Sequence, residues 1–217
     1  MKKITKAGIL LCILILPVLV YLFLKIFAKN HYDIPTYFAT DSVLVNGRYK
    51  ITGAHKIPAF TFVDQDGEAF SSELLKDKIL VTAFLSEGEI TTSSKVTTEL
   101  KRIQEAFADF PEIRIVSFSI DSENHGVSDT LNVYAETFRI DTARWSLLSG
   151  SKDAVYTLAQ KGLLIPGQSD SANRVLGETL ALIDKAGHIR GYYTGTDRAE
   201  IDRLIREIQV LLYNYGN

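Results

Sequence analysis

Residues 79–108 read ILVTAFLSEGEITTSSKVTTELKRIQEAFA. Ile79–Leu85 is apolar apart from Thr82, the pattern of a strand covered on both faces as in a parallel sheet. From residue 93 the period changes: Val96, Leu100, Ile103 and Phe107 recur at helical spacing over 93–108. A buried strand, a polar loop and an amphipathic helix within thirty residues form half of a βαβ unit. The other half follows at Ile113–Ile120 (IRIVSFSI), a second buried strand.

Downstream, residues 129–139 predict a helix with Leu131, Tyr134 and Phe138 on one face. Trp145–Leu148 predicts a short strand, and Lys152–Lys161 a helix with Val155, Leu158 and Ala159 inward. Thr179–Ile183 and Ile189–Tyr193 bracket a turn at Asp184–Gly187 and read as an antiparallel hairpin. Residues 198–213 carry an apolar stripe of Ile201, Leu204, Ile205, Ile208 and Leu212, with Asp197 and Glu200 suiting the helix start. Upstream, Asn46-Gly47 between VLV and RYKI (43–51) is a two-residue hairpin signal. Ala59–Val63 and Glu68–Phe70 flank a turn at Asp66-Gly67. This order predicts an α/β class: a thioredoxin-like fold, with a central mixed β-sheet flanked by helices.

The chain has 217 residues, one Met (Met1) and one Cys (Cys12), so residues 13–217 hold no sulfur. Disulfides, thiol redox catalysis, Cys nucleophiles, zinc–thiolate sites and Cys/Met copper sites are thereby excluded from that region. Five lysines and no acid lie in residues 1–29, leaving 19 basic against 26 acidic residues beyond, a formal charge of −7. That acidity argues against nucleic acid as a partner.

Ala7–Leu24 is an uncharged run of 18 residues (AGILLCILILPVLVYLFL), close to the minimum for crossing a bilayer core. Lys25 and Lys29 can snorkel outward and extend it. A cleaved signal peptide would have a shorter apolar run and small residues at the cut, and KIFAKNHYD offers no clear A-x-A site. Leu11 before Cys12 does not suit a lipoprotein signal. The expected organisation is a cytoplasmic N-terminus (1–6), a transmembrane helix (7–28), a juxtamembrane linker and hairpin (29–56), and the folded domain (57–214). The lysines before the span place the N-terminus in the cytoplasm and the domain outside the cell membrane or in the periplasm.

Within 117–160, Ser119-Ile-Asp121, Tyr134-Ala-Glu-Thr-Phe138, Arg144-Trp145 and Leu148-Ser-Gly150 resemble the SCO/SenC family of membrane-anchored thioredoxin-fold proteins. Ile57-Pro-Ala-Phe60, Asp66-Gly67, Leu80–Phe84 and Leu180–Gly187 look like the same family's opening and hairpin, and the resemblance spans about 57–212. It implies assembly of the copper centre of cytochrome c oxidase, with copper or thiol chemistry at a C-x-x-x-C motif and a distal His. Carried over, the two Cys positions fall at Glu89 and Ser93, and the His position near Leu176. All three ligands are replaced. Carboxylate and hydroxyl are hard donors unsuited to copper(I), and thiol–disulfide exchange has no thiolate to use. No cofactor, no metal and no catalytic residue are expected, nor an enzyme of the thiol–disulfide or peroxiredoxin kind.

The loops after the two buried strands carry Ser86, Glu87 and Glu89, then Asp121, Glu123 and His125. Loops at the carboxyl ends of strands line the usual crevice of an open α/β sheet. Two functions follow. The first is a non-catalytic accessory or docking factor for respiratory-complex assembly proteins. The second is a hard-cation protein or enzyme using the acidic crevice Glu87/Glu89/Asp121/Glu123/His125. Thr91, Thr92, Ser93 and Ser94 read as helix caps, His31, His55 and His188 as exposed and inert, Trp145 as core, and Ile165–Gly177 as a partner-contact loop.

Overall fold

The computed structural model describes residues 14–21, 34–36, 39–45, 48–86, 90–120, 127–165 and 175–216. Two compact units divide the chain, residues 1–33 and 34–217. In the first, residues 14–21 are helical with every side chain exposed, Leu14, Leu16 and Tyr21 the most so. Most of the expected span over 7–28 lies outside the described residues, and among those described no helix is long and apolar enough to cross a membrane.

The second unit opens with a two-stranded antiparallel sheet, β1 (Ala39–Val45) and β2 (Arg48–Ala54), with Val45 opposite Arg48; the expected turn at Asn46-Gly47 lies outside the described residues. The main sheet has seven strands: β3 (Thr61–Asp64), β4 (Ala69–Ser71), β5 (Ile79–Leu85), β6 (Ile113–Ser119), β7 (Trp145–Ser149), β8 (Thr179–Ile183) and β9 (Ile189–Thr194). Their order is β4-β3-β7-β6-β5-β8-β9. β5, β6 and β7 are parallel at the centre, and antiparallel hairpins close both edges. The mixed sheet expected from the order of elements is therefore present.

Helices α1 (Ile90–Ala106), α2 (Val127–Phe138), α3 (Lys152–Thr157) and α4 (Arg198–Tyr215) cover it. α3 runs into a wider π turn, Leu158–Gly162, so the expected helix over 152–161 changes its winding midway. Every side chain of β5 is buried, and alternation sends them to two cores. Ile79, Val81, Ala83 and Leu85 pack with Val96, Leu100, Leu131, Trp145, Ile201 and Leu204 beneath α1, α2 and α4. Leu80 and Phe84 face the other side with Phe62, Phe118, Leu148 and Val155. There Phe118 meets Phe60, Phe62 and Phe84 at ring-centroid distances of 5.6, 5.2 and 5.4 Å.

The two edge hairpins use one device twice. Asp64 Oδ1 accepts from the N–H groups of Asp66 and Glu68, and Asp184 Oδ1 from those of Ala186 and His188. In each turn the third residue on is a glycine at positive φ, Gly67 (81°) and Gly187 (84°), where a side chain would be strained. The spacing Asp-x-x-Gly is thus a complete turn instruction, an Asx turn closed by a left-handed residue.

Candidate functional site

The candidate site lies at the carboxyl ends of β5 and β6, where α1 begins. α1 starts at Ile90, three residues before the helix read from apolar spacing. Thr91, Thr92, Ser93 and Ser94 therefore stand inside the helix, over its first turn and the start of its second, instead of preceding it as caps. Ser93 has a different task. Its Oγ accepts from the Ser86 N–H at 3.0 Å and donates to the Ser86 carbonyl at 2.8 Å. The side chain is buried, with 4% of the residue exposed. A hydroxyl has one donor and two acceptor positions, so Ser93 spends its proton on holding the end of β5 against α1. Among the described residues no base is bonded to Ser93 to take that proton and activate the oxygen as a nucleophile.

Leu176 lies in a helical turn over 175–178, just before β8, and is 4% exposed. It packs into the core that holds Leu163, Ile165 and Ala181. Glu87, Glu89, Asp121, Glu123 and His125 all lie outside the described residues, as do His31 and most of the 165–177 loop. Among the described residues there is no group of three or more His, Cys, Asp or Glu side chains placed to hold a metal ion.

Two histidines read as exposed are bonded. His55 Nε2 meets the Gly162 carbonyl at 2.8 Å, joining the chain after β2 to the π turn. His188 Nδ1 lies 3.5 Å from Asp184 Oδ2. Both stand in sequence that looks like linker or turn, and their partners are distant backbone or a local turn, which spacing alone does not reveal. Trp145 is fully buried as expected, with its Nε1–H donating to Ser117 Oγ at 2.9 Å.

On the α1/α2 side of the same strand ends is a cavity of about 450 Å³. Leu85, Ser93 and Ser119 line it from the strand ends and α1, and Leu131, Tyr134 and Phe138 line it from α2. Tyr134 Oη and Thr97 Oγ1 share a hydrogen bond of 2.5 Å that clasps α1 to α2. Burial pushes the Tyr134 phenol up from its usual value, partly offset by the bond to Thr97. Sequence reading passed this cavity over. Its signal was the pair Ser117 and Ser119, two hydroxyls two residues apart and so on one face of the strand, the first of which takes the Trp145 indole bond.

A thioredoxin-like α/β domain that carries no thiol beyond Cys12 is the class these observations define. Within that class the chain belongs to the SCO1/SenC family, whose model matches residues 49–212. The SCO1 protein homolog of Bacillus subtilis (strain 168) is 24% identical over 159 residues, covering 71% of this chain and 82% of that protein. A SCO1/SenC family lipoprotein from Bacillus anthracis str. Ames shares the fold with a TM-score of 0.63 and 24% identity, over 73% of this chain and 96% of that one. BsSco, a member of the Sco family of cytochrome c oxidase assembly proteins studied for a disulfide switch, aligns with a TM-score of 0.60 and 22% identity, over 73% and 94%.

Proposed function

We propose that this chain is a membrane-anchored docking or accessory factor in the assembly of a respiratory oxidase copper centre, with no thiol or copper chemistry of its own. The observation that carries the reading is Ser93. At the position that the family resemblance gives to a cysteine, the side chain is a buried hydroxyl whose proton is committed to the Ser86 backbone. Support also comes from Leu176, an aliphatic core residue where the resemblance places a histidine, and from the absence of sulfur beyond residue 12. A retained scaffold without its reactive groups serves recognition, because the surface of a fold survives the loss of its site. The apolar run Ala7–Leu24 and its flanking lysines support an anchor that leaves the domain outside the cytoplasm.

Two measurements test this. Full-length protein in lipid nanodiscs is titrated with copper(I) against a chromophoric chelator. No transfer from chelator to protein is expected, and stoichiometric sub-nanomolar binding overturns the reading. Deletion in the native host should then lower the amount of assembled oxidase and be rescued by the intact chain. Unchanged oxidase levels would remove the docking role.

A further inference from the structure

The chain that enters the domain is tied to one end of it. Arg190 on β9 donates to the Ile34 carbonyl and to Thr36 Oγ1, and its Nη1 lies 3.4 Å from Asp184 Oδ2. Tyr215, in the last turn of α4, interacts with the Asp184 carboxylate, and Lys185 Nζ stands 5.2 Å from its ring centroid. The entry point, the β8–β9 turn and the end of α4 are therefore neighbours. This end has two surface features of its own. Its tyrosines face solvent, Tyr213 with 65% and Tyr215 with 43% of the residue exposed. Its turn is flanked by lysines: Lys56, exposed and bridged through its backbone to His188, and Lys185, partly exposed. The one acid of that turn, Asp184, is buried and engaged with Arg190.

We propose that this end of the domain, through Tyr213, Tyr215, Lys56 and Lys185, rests on a lipid surface, the headgroup layer of an anionic bilayer. The length of the tether argues for it. The expected span ends at residue 28, six residues before Ile34. Six residues reach about 20 Å when fully extended. That is less than the width of a small folded domain, about 30 Å, so the tether leaves no room for a protein between this end and the bilayer. Tyrosine suits the headgroup layer, because its ring is apolar and its hydroxyl is wet. Lysines meet the anionic headgroups there, although the domain as a whole is acidic. The turn follows Ile183, whose neighbour on β5 is Leu80 near that strand's amino end. The candidate site at the carboxyl ends of β5 and β6 then points away from the lipid. This inference rests on the anchor in the proposed function and deepens it; the missing thiols play no part in it.

The test uses full-length protein in nanodiscs of phosphatidylglycerol and phosphatidylcholine, part of the latter spin-labelled at its headgroup. Cys12 is the only cysteine, so an environment-sensitive nitrobenzoxadiazole dye can be placed at one site at a time. Ala186→Cys puts it in the β8–β9 turn, and Thr130→Cys puts it near the start of α2, at the other end of the central strands. Both positions are exposed, and both variants carry Cys12→Ser. The dye at position 186 should emit at shorter wavelength and be quenched by the spin-labelled lipid several-fold more than the dye at position 130. Tyr213→Ser and Lys56→Glu, at exposed positions, should each weaken that quenching, as should replacing phosphatidylglycerol by phosphatidylcholine. Dye on the native Cys12, read against lipid spin-labelled in its acyl chain, reports the anchor separately. Quenching at Cys12 with a dye at position 186 as wet as that at position 130 overturns this proposal and leaves the anchor standing. No quenching at Cys12 overturns both. A blue shift at position 186 without quenching marks a protein on this face, and quenching indifferent to both substitutions marks mere nearness; either overturns the proposal.

Discussion

Ser93 shows how one atom type redirects a position. Its hydroxyl spans from the first turn of α1 to both backbone groups of Ser86, closing the strand-to-helix loop at its neck. Ser93→Ala takes both of these bonds away from the part-buried backbone of Ser86. It should lower stability by about 1–3 kcal/mol, read as a shift in the urea midpoint at unchanged slope. Tyr134 supplies a pH signature. Burial raises its pKa in the folded chain above the unfolded value near 10. The folded state then keeps a proton that the unfolded chain releases, so this group's contribution is intact below about pH 10 and is lost as pH rises through the folded value. The melting temperature of Tyr134→Phe should fall less steeply than that of the parent between about pH 9 and about pH 11. The Ser93 bonds were not legible in sequence, since a serine in a run of Thr and Ser reads as a cap. Only the position of the preceding strand end decides otherwise.

At the scale of elements, the central strands were the most legible part. Ile79–Leu85 and Ile113–Ser119 are rich in apolar residues and almost wholly buried because helices cover both faces, and the structure pairs them in parallel with Ile79 opposite Ile113. The hairpins were equally plain, because Asp-x-x-Gly encodes its own turn. What spacing did not show is the change of winding after Thr157, which is set by tertiary contact: Gly162 approaches Pro58 and Leu158 closely, and its carbonyl takes the His55 bond. A second close approach explains the Leu-Ser-Gly run that marks the family. A Cβ on Gly150 would fall 2.5 Å from Phe62 Cδ1, and that ring is held between Phe60 and Phe118. Gly150→Ala must therefore displace an aromatic ring inside a packed cluster. A loss of about 1–3 kcal/mol is expected in thermal or urea unfolding, with Gly150→Val worse.

Across the whole domain, the chain entering at residue 34 is held to the far edge of the sheet. Arg190 on β9 donates to Thr36 Oγ1 at 2.9 Å and to the Ile34 carbonyl, and its Nη1 lies 3.4 Å from Asp184 Oδ2. Ile34 itself is buried against the α1/α4 core. Arg190→Ala should free this entry segment, making it a site of early cleavage in limited proteolysis, and cost about 2 kcal/mol of stability. Residues 30–41 have no periodicity, so the sequence reads as linker; a single arginine 154 residues away orders part of it. The fold was thus readable wherever burial imposes a period, and the site less so, because its contacts are made by lone side chains across long separations. Leu176 and Ser93 have one more consequence, for what the two positions can accept. Both positions now contribute to the fold itself, one as a core contact and one as a loop closure. Replacing Leu176 by His would put an imidazole where an aliphatic side chain packs, and replacing Ser93 by Cys would exchange a strong hydrogen-bonding group for a weak one. Introducing a soft metal-ligand pair at these two positions would therefore work against the fold at each step.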